Sequence, residues 1–301
     1  MKKAVLIGVP CDWGASKRGA AGGPAAIRRT DLQKSLEALG VPVEDRGDIR
    51  IRGERPKIGN PKLKYAGLIQ KMCEALAKET HAVAKEGAIP ITLGGDHSLA
   101  MGSAAGVVRY FHEKKQSIGL IWVDAHGDFN LPETSPSGNI HGMPLAHLLG
   151  LGDKTLSHVA GFAPTFQAKR VCLVGVRDLD EAEKINLRRS GIRVFTMADI
   201  DLQGLARIIE QAIEIAGADI AGFHMSFDID TADPSIAQGV GTPKRGGLTY
   251  REAHLMMEVV AESGKLVSLD MAEVNPLEDS HNTTAELASE LILSAMGKKI
   301  Y

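Results

Sequence analysis

Aromatic residues fill only 4% of the 301 positions, and the net charge is −2. Together these remove two classes of function. Single-strand nucleic-acid binders stack bases on aromatic platforms and grip phosphates with an excess of Lys and Arg. Here 35 basic residues face 37 acidic ones. The same balance gives an anionic membrane surface nothing to attract. Cysteine is scarce as well. Cys11, Cys73 and Cys172 are odd in number and far apart, and they lack metal-ligand spacing. Buried free thiols in a reducing cytosol are the expectation, so the chain is expected to be cytoplasmic. No apolar run reaches the length of a membrane span. The start, Met1 to Pro10, has two lysines and a short apolar run like a signal peptide. That run is too short, and Cys11-Asp12-Trp13-Gly14 stands where a small-residue cleavage site belongs. A first β-strand is the expected use of this segment.

Hydrophobic residues make up 44%, enough for a large core. Short apolar runs alternate with amphipathic stretches. Strands are expected near residues 3–9, 42–46, 88–94, 118–124, 170–176, 192–197, 220–229 and 266–272. Helices are expected over 64–86, 98–113, 201–216, 249–263 and 281–297. Most strand runs are rich in Val, Ile and Leu without clean alternation, as when both faces are buried. Strands alternating with helices predict an α/β fold with a parallel sheet flanked by helices. No repeat, linker or low-complexity tract divides the chain, so one domain over 1–301 is expected. Two connections, Gly127 to Ile140 and Thr231 to Gly247, are too long for plain turns. They either border a functional cleft or are mobile surface loops.

Three clusters sit just after apolar runs: His97 in GGDHS, Asp124, His126 and Asp128 in DAHGD, and Asp228 and Asp230 in SFDIDTADP. Side chains two and four residues apart on an extended chain share a face, so each cluster can converge on one point. In parallel α/β folds, sites form at the carboxyl ends of strands. Four carboxylates would repel strongly at close range unless cations lie between them. Two divalent ions match four carboxylates in charge. Oxygen ligands with two imidazoles suit Mn²⁺ better than a thiolate-selecting zinc site. Taken singly, an Asp-x-Asp is as readily a helix cap or turn, and a His after Gly-Gly a core residue. It is the coincidence of three clusters that argues for two metal ions.

These stretches closely resemble the ureohydrolases, and within them the arginases. The match runs through Gly94-Gly-Asp-His-Ser98, Asp124-Ala-His-Gly-Asp128, Ser137-Gly-Asn-Ile-His-Gly142 and Ser226 to Pro234. It continues through Gly246-Gly-Leu-Thr-Tyr250 and Met271-Ala-Glu-Val-Asn-Pro276, with Gly23-Pro-Ala-Ala-Ile-Arg28 near the start. The resemblance implies a three-layer α/β/α sandwich around an eight-stranded parallel sheet. It also implies hydrolysis of a guanidinium group to urea and an amine by two Mn²⁺ ions, through a hydroxide that bridges them. One ion would take His97, Asp124, Asp128 and Asp228, and the other Asp124, His126, Asp228 and Asp230. Two cations sharing one water can lower its pKa from about 15.7 towards neutrality.

By the same resemblance, His141 would pass a proton to the leaving amine and Glu273 would pair with the guanidinium. With Asp128 they form the implied catalytic set. Asn130, Ser137 and Asn139 match positions that hold a substrate carboxylate. Asp180, with Glu183 one turn on, matches the segment that faces an α-ammonium, and Thr242 would lie against the guanidinium. L-arginine is thus the implied substrate, and a trimer or hexamer the implied assembly. Agmatine or another guanidino acid is the alternative. Asp180 could equally be a helix cap, Asn130 and Ser137 turn residues, His141 a structural histidine, and Glu273 a partner for Arg or Lys. A one-zinc deacetylase-like hydrolase would leave carboxylates unpaired, and a silent scaffold would have no need of the full ligand set.

Overall fold

The computed structural model describes residues 2–50 and 57–299. Its centre is an eight-stranded sheet in which every pair is parallel. In chain order the strands are β1 (Ala4–Gly8), β2 (Val43–Asp48), β3 (Ile89–Leu93), β4 (Gly119–Val123), β5 (Val171–Val176), β6 (Arg193–Thr196), β7 (Phe223–Asp228) and β8 (Leu266–Ala272). Each of the eight expected runs forms one of them. In space the order is β2-β1-β3-β8-β7-β4-β5-β6.

The pleat sends alternate side chains to two cores. On β1, Ala4 and Leu6 join one, and Val5 and Ile7 the other. The first core is closed by α1 (Gly23–Arg28), α2 (Leu32–Ala38), α8 (Met197–Gln203), α9 (Leu205–Gly217), α10 (Tyr250–Ser263) and α11 (Thr283–Ala295). The opposite face is covered by α3 (Ala66–Lys85), α4 (Ala100–Glu113), α5 (Pro144–Leu148), α6 (Lys154–Ser157) and α7 (Glu181–Ser190). That is the three-layer sandwich. All three cysteines are free and buried. No helix among the described residues is long and apolar enough to cross a membrane.

The structure departs from the sequence expectation in its helices. The single helix expected over 201–216 is two, α8 and α9, broken at Gly204 with φ 82°. The Thr196 hydroxyl takes the Asp199 amide, and Asp199 takes the Thr196 amide at 2.8 Å. This capping box starts α8 earlier than periodicity suggests. The strand expected from 220 begins only at Phe223, because Gly222 holds φ 140°. Helices α1, α2, α5 and α6 lie outside the expected ranges, and α7 was foreseen only through Asp180 as a possible helix cap.

Strands β3, β8, β7 and β4 are consecutive in the sheet. The segments leaving their carboxyl ends carry His97, Glu273, Asp228 and Asp124. Residues up to 176 positions apart in the chain are thereby delivered to one spot.

Candidate metal centre and its cleft

After β3, Gly94 and Gly95 turn the chain with φ 61° and 86°. A side chain at Gly95 would strike the Val9 carbonyl oxygen at 2.4 Å. The turn delivers His97, whose Nδ1 lies 3.2 Å from Asp124, 3.1 Å from Asp128 and 3.1 Å from Asp228 oxygens. Yet neither His97 Nδ1 nor Asp128 Oδ2 has a hydrogen-bond partner of acceptable geometry, though both are buried. Orphaned buried groups are costly, at about 1–3 kcal/mol each. Four ligand atoms around one point, two of them unpaired, are what a cation needs. Beside this cage, His126 Nδ1 sits 3.1 Å from Asp230 and 3.4 Å from Asp124. Asp124 turns Oδ2 to the first cage and Oδ1 to the second.

All six sequence-expected metal ligands therefore converge, and the donor set fits two cations. The ligand atoms of Asp124, His97 and Asp228 fall within 4.8 Å of one another, as do those of Asp124, His126 and Asp230. Asp228 belongs by distance to the His97 cage. Its other oxygen accepts the Asp230 amide at 2.8 Å.

Electrostatics point the same way. Burial, then the Asp124 charge, push the Asp128 carboxyl up to about 7. Burial, then Asp230 and Asp124, hold Asp228 well above the carboxylate range. Burial opposes protonation of His126, but Asp230 and Asp124 carry its pKa up to about 12. His97 is raised in the same way by its three carboxylates, against the effect of burial. Without cations the centre must therefore fill with protons. Loading the apo protein with two Mn²⁺ at pH 7 is expected to release more than one proton. Calorimetry in two buffers of different ionisation enthalpy measures this, and zero release would contradict the assignment.

Sequence reading missed the residues behind the ligands. Trp122 on β4 stacks on the His97 ring at 4.1 Å and donates Nε1 to Asp124 at 2.9 Å. Ser226 Oγ donates to Asp270 at 2.6 Å, so it accepts from His97 Nε2 at 2.9 Å. That fixes the His97 proton on Nε2 and leaves the Nδ1 lone pair facing the cage. Asp270 is held in turn by His224 at 2.8 Å. Trp122 pairs with Ser226, and Ser226 with Asp270, in strand register. Burial would raise the Asp270 pKa, but His224 holds it below the usual value. The signal was present in HMSFD and LVSLD, where polar residues recur every second position in otherwise buried strands.

Two of the eight described non-glycine residues with positive φ stand here. Asp128 and Glu273 are non-glycine residues at φ 48° and 64°. Such left-handed backbones cost of order 1–3 kcal/mol and tend to mark functional sites. Glu273 Oε1 accepts from the His97 amide at 2.9 Å and lies 3.0 Å from His141 Nδ1. Burial lowers the His141 pKa, but Glu273 outweighs it and carries it up to about 9.

Above the cages opens a cleft of about 150 Å³. Both long connections border it. Its lining includes the uncharged Asn130, Ser135, Ser137 and Asn139, the acidic Asp178, Asp180 and Glu183, and Thr242. Thr242 Oγ1 donates to Asp230 at 3.1 Å. Arg177, also unforeseen, donates to the Asp230 and Lys244 carbonyls, each at 2.8 Å, and so pins the second loop to the end of β5. Asp180 stands at the N-cap of α7 and also accepts Asn130 Nδ2 at 3.0 Å, so it serves the helix and faces the cleft. Glu183 is 4% exposed, and its oxygens take the Phe129 amide at 2.8 Å and the Asp180 amide at 3.3 Å.

Known proteins share this arrangement. The model of the Arginase family matches residues 2–297. An arginase of Bacillus caldovelox is 44% identical over 100% of both chains, and one of Bacillus subtilis is 43% identical over 99% of both. The native structure of the Bacillus caldovelox arginase superposes with a TM-score of 0.94, covering 100% of each chain. The chain is a hydrolase and belongs to the arginase family.

Proposed function

We propose that this protein hydrolyses L-arginine to L-ornithine and urea with two Mn²⁺ ions. The observation that carries the reading is the pair of cages sharing Asp124 beneath a cleft lined by both uncharged polar and acidic side chains. When bound, the two ions supply Lewis acidity and lower the pKa of the attacking water. His97, Asp124, Asp128 and Asp228 would hold one ion, and Asp124, His126, Asp228 and Asp230 the other. The remaining steps fall to the chain's own groups. Glu273 has one oxygen engaged by His97 and His141, and its second is left to orient the guanidinium. Thr242 closes the side beside Asp230. His141, protonated through its contact with Glu273, gives its proton to the departing amine nitrogen. Asn130, Ser137 and Asn139 receive the α-carboxylate, and Asp180 and Glu183 stabilise the α-ammonium. The reading includes one domain over residues 1–301, a cytoplasmic location, and a homo-oligomer, trimer or hexamer.

The test is urea release from L-arginine and from agmatine by metal-free protein given back Mn²⁺, Zn²⁺ or nothing. No turnover with any metal would overturn the reading. Faster turnover of agmatine, or of another guanidino acid, would keep the chemistry and change the substrate.

Activity should rise from neutral into alkaline pH as the attacking water ionises, because the guanidinium stays cationic there. The raised His141 pKa means its proton is held through neutral pH and lost as pH climbs through about 9. Nearby cations draw that value down, so the profile should turn over at or below that point. His141→Asn should lower kcat about 10²-fold with metal content unchanged, and should remove the alkaline fall. A maximum in the acid range would contradict this scheme.

A further inference from the structure

The two histidines of the cages are supported unequally. His97 has its Nε2 fixed by Ser226 at 2.9 Å. His126 turns Nδ1 to its own cage, 3.1 Å from Asp230 and 3.4 Å from Asp124. With Nδ1 given to a cation, the proton of the neutral ring is on Nε2. The carboxylate oxygen within reach of that proton is Asp178 Oδ2, with 3.9 Å between Nε2 and the oxygen. This is too far for a hydrogen bond. The same oxygen, Asp178 Oδ2, is held by the Lys244 ammonium.

Lys244 is itself anchored. Its carbonyl accepts from Arg177 Nη2 at 2.8 Å, and that nitrogen also donates to the Asp230 carbonyl at 2.8 Å. Two residues earlier, Thr242 donates to the Asp230 carboxylate at 3.1 Å. The lysine thus reaches Asp178 from a segment tied to the second cage. The Lys244 and Asp178 side chains are 43% and 45% exposed, so their ion pair contributes little to stability. Its effect lies in what it keeps Asp178 from reaching. A carboxylate that accepts the far N–H of a metal-binding histidine fixes the ring and raises its basicity. Such partners are worth about 10–100-fold in metal affinity.

We propose that Lys244 is a positioning residue that holds Asp178 off His126 and so weakens the ion of the His126 cage. This rests on the two-ion reading above. Released from Lys244, Asp178 Oδ2 needs to move only about 1 Å to accept the Nε2 proton of His126. The lysine therefore acts against metal affinity, and its removal is a gain.

The test is the pair of Mn²⁺ dissociation constants of the metal-free protein, from paramagnetic resonance of free Mn²⁺ during titration. The parent, K244M, K244R and R245M are compared. K244M is expected to tighten one constant about tenfold and to leave the other unchanged. K244R keeps the ion pair and should match the parent. R245M removes the same unit of charge from an exposed neighbour and should match it too. The sign decides between roles. If Lys244 only clamps the 241–247 segment, K244M loosens Thr242 from Asp230 and weakens metal binding, which overturns the proposal. D178A removes the acceptor, so K244M should gain little in that background. An undiminished tenfold gain there, or an equal gain in R245M, would assign the effect to charge alone and overturn the positioning role. A parent that binds fewer than two Mn²⁺ would sink the two-ion reading itself. Two bound with unaltered constants in K244M would sink only the role of Lys244.

Discussion

The Asp124→Ala protein is expected to hold neither metal ion and to lose about three decades of activity or more. Its two oxygens face different cages, 3.2 Å from His97 and 3.4 Å from His126. Each cage without it falls to fewer anionic ligands than a divalent ion needs for a tight site. Lewis-acid activation supplies several kcal/mol, and each decade of rate is about 1.36 kcal/mol. Asp228→Ala is expected to behave likewise, as the second bridge proposed above. Its contact with the Asp230 amide means that removal also frees the second cage. His97→Ala should mainly weaken one ion. Elemental analysis after desalting measures all three. Two full equivalents of metal retained in Asp228→Ala would sink its bridging role. Two retained in Asp124→Ala would contradict the shared centre altogether.

What the sequence disclosed and what it hid follow from locality. The six ligands were legible because each cluster is a short motif at the end of an apolar run, where a parallel sheet collects its functional groups. The eight strands were legible because a run buried on both faces is continuously apolar. The helices outside the expected ranges, α1, α2, α5, α6 and α7, have four to ten residues each. Segments that short are marginal by propensity and are held by tertiary contacts. The support behind His97 was hidden for a different reason. Trp122, Ser226 and Asp270 are joined only by register between β4, β7 and β8, and their partnership spans 148 positions of chain. Within a single strand a buried Ser looks like an interruption of the core. Arg177 was hidden likewise, since its contacts are with backbone carbonyls.

Selectivity for L-arginine over agmatine is expected to be large, up to about 10⁴-fold in kcat/KM. A site built to hydrogen-bond a group rejects the analogue lacking it, because its polar atoms are left unpaired. Asn130 and Asn139 are each 7% exposed, so water replaces a missing carboxylate poorly there. For the α-ammonium the expectation rests on Asp180. Asp180→Ala should cost about 1.5–3 kcal/mol, or one to two decades of kcat/KM on arginine. That variant alone is ambiguous, because Asp180 also heads α7 and holds Asn130 at 3.0 Å. Asp180→Asn separates the roles. Asparagine caps a helix as well as aspartate does, and its amide oxygen can still accept from Asn130. Only the charge facing the α-ammonium is lost. If that charge matters, Asp180→Asn and Asp180→Ala should lose arginine activity alike, with agmatine kinetics unchanged and two metal ions retained. If Asp180 acts only as a cap, Asp180→Asn should match the parent, and only Asp180→Ala should suffer, on both substrates and in thermal stability. Equal parent efficiency on arginine and agmatine would remove the arginine assignment while leaving guanidinium hydrolysis in place.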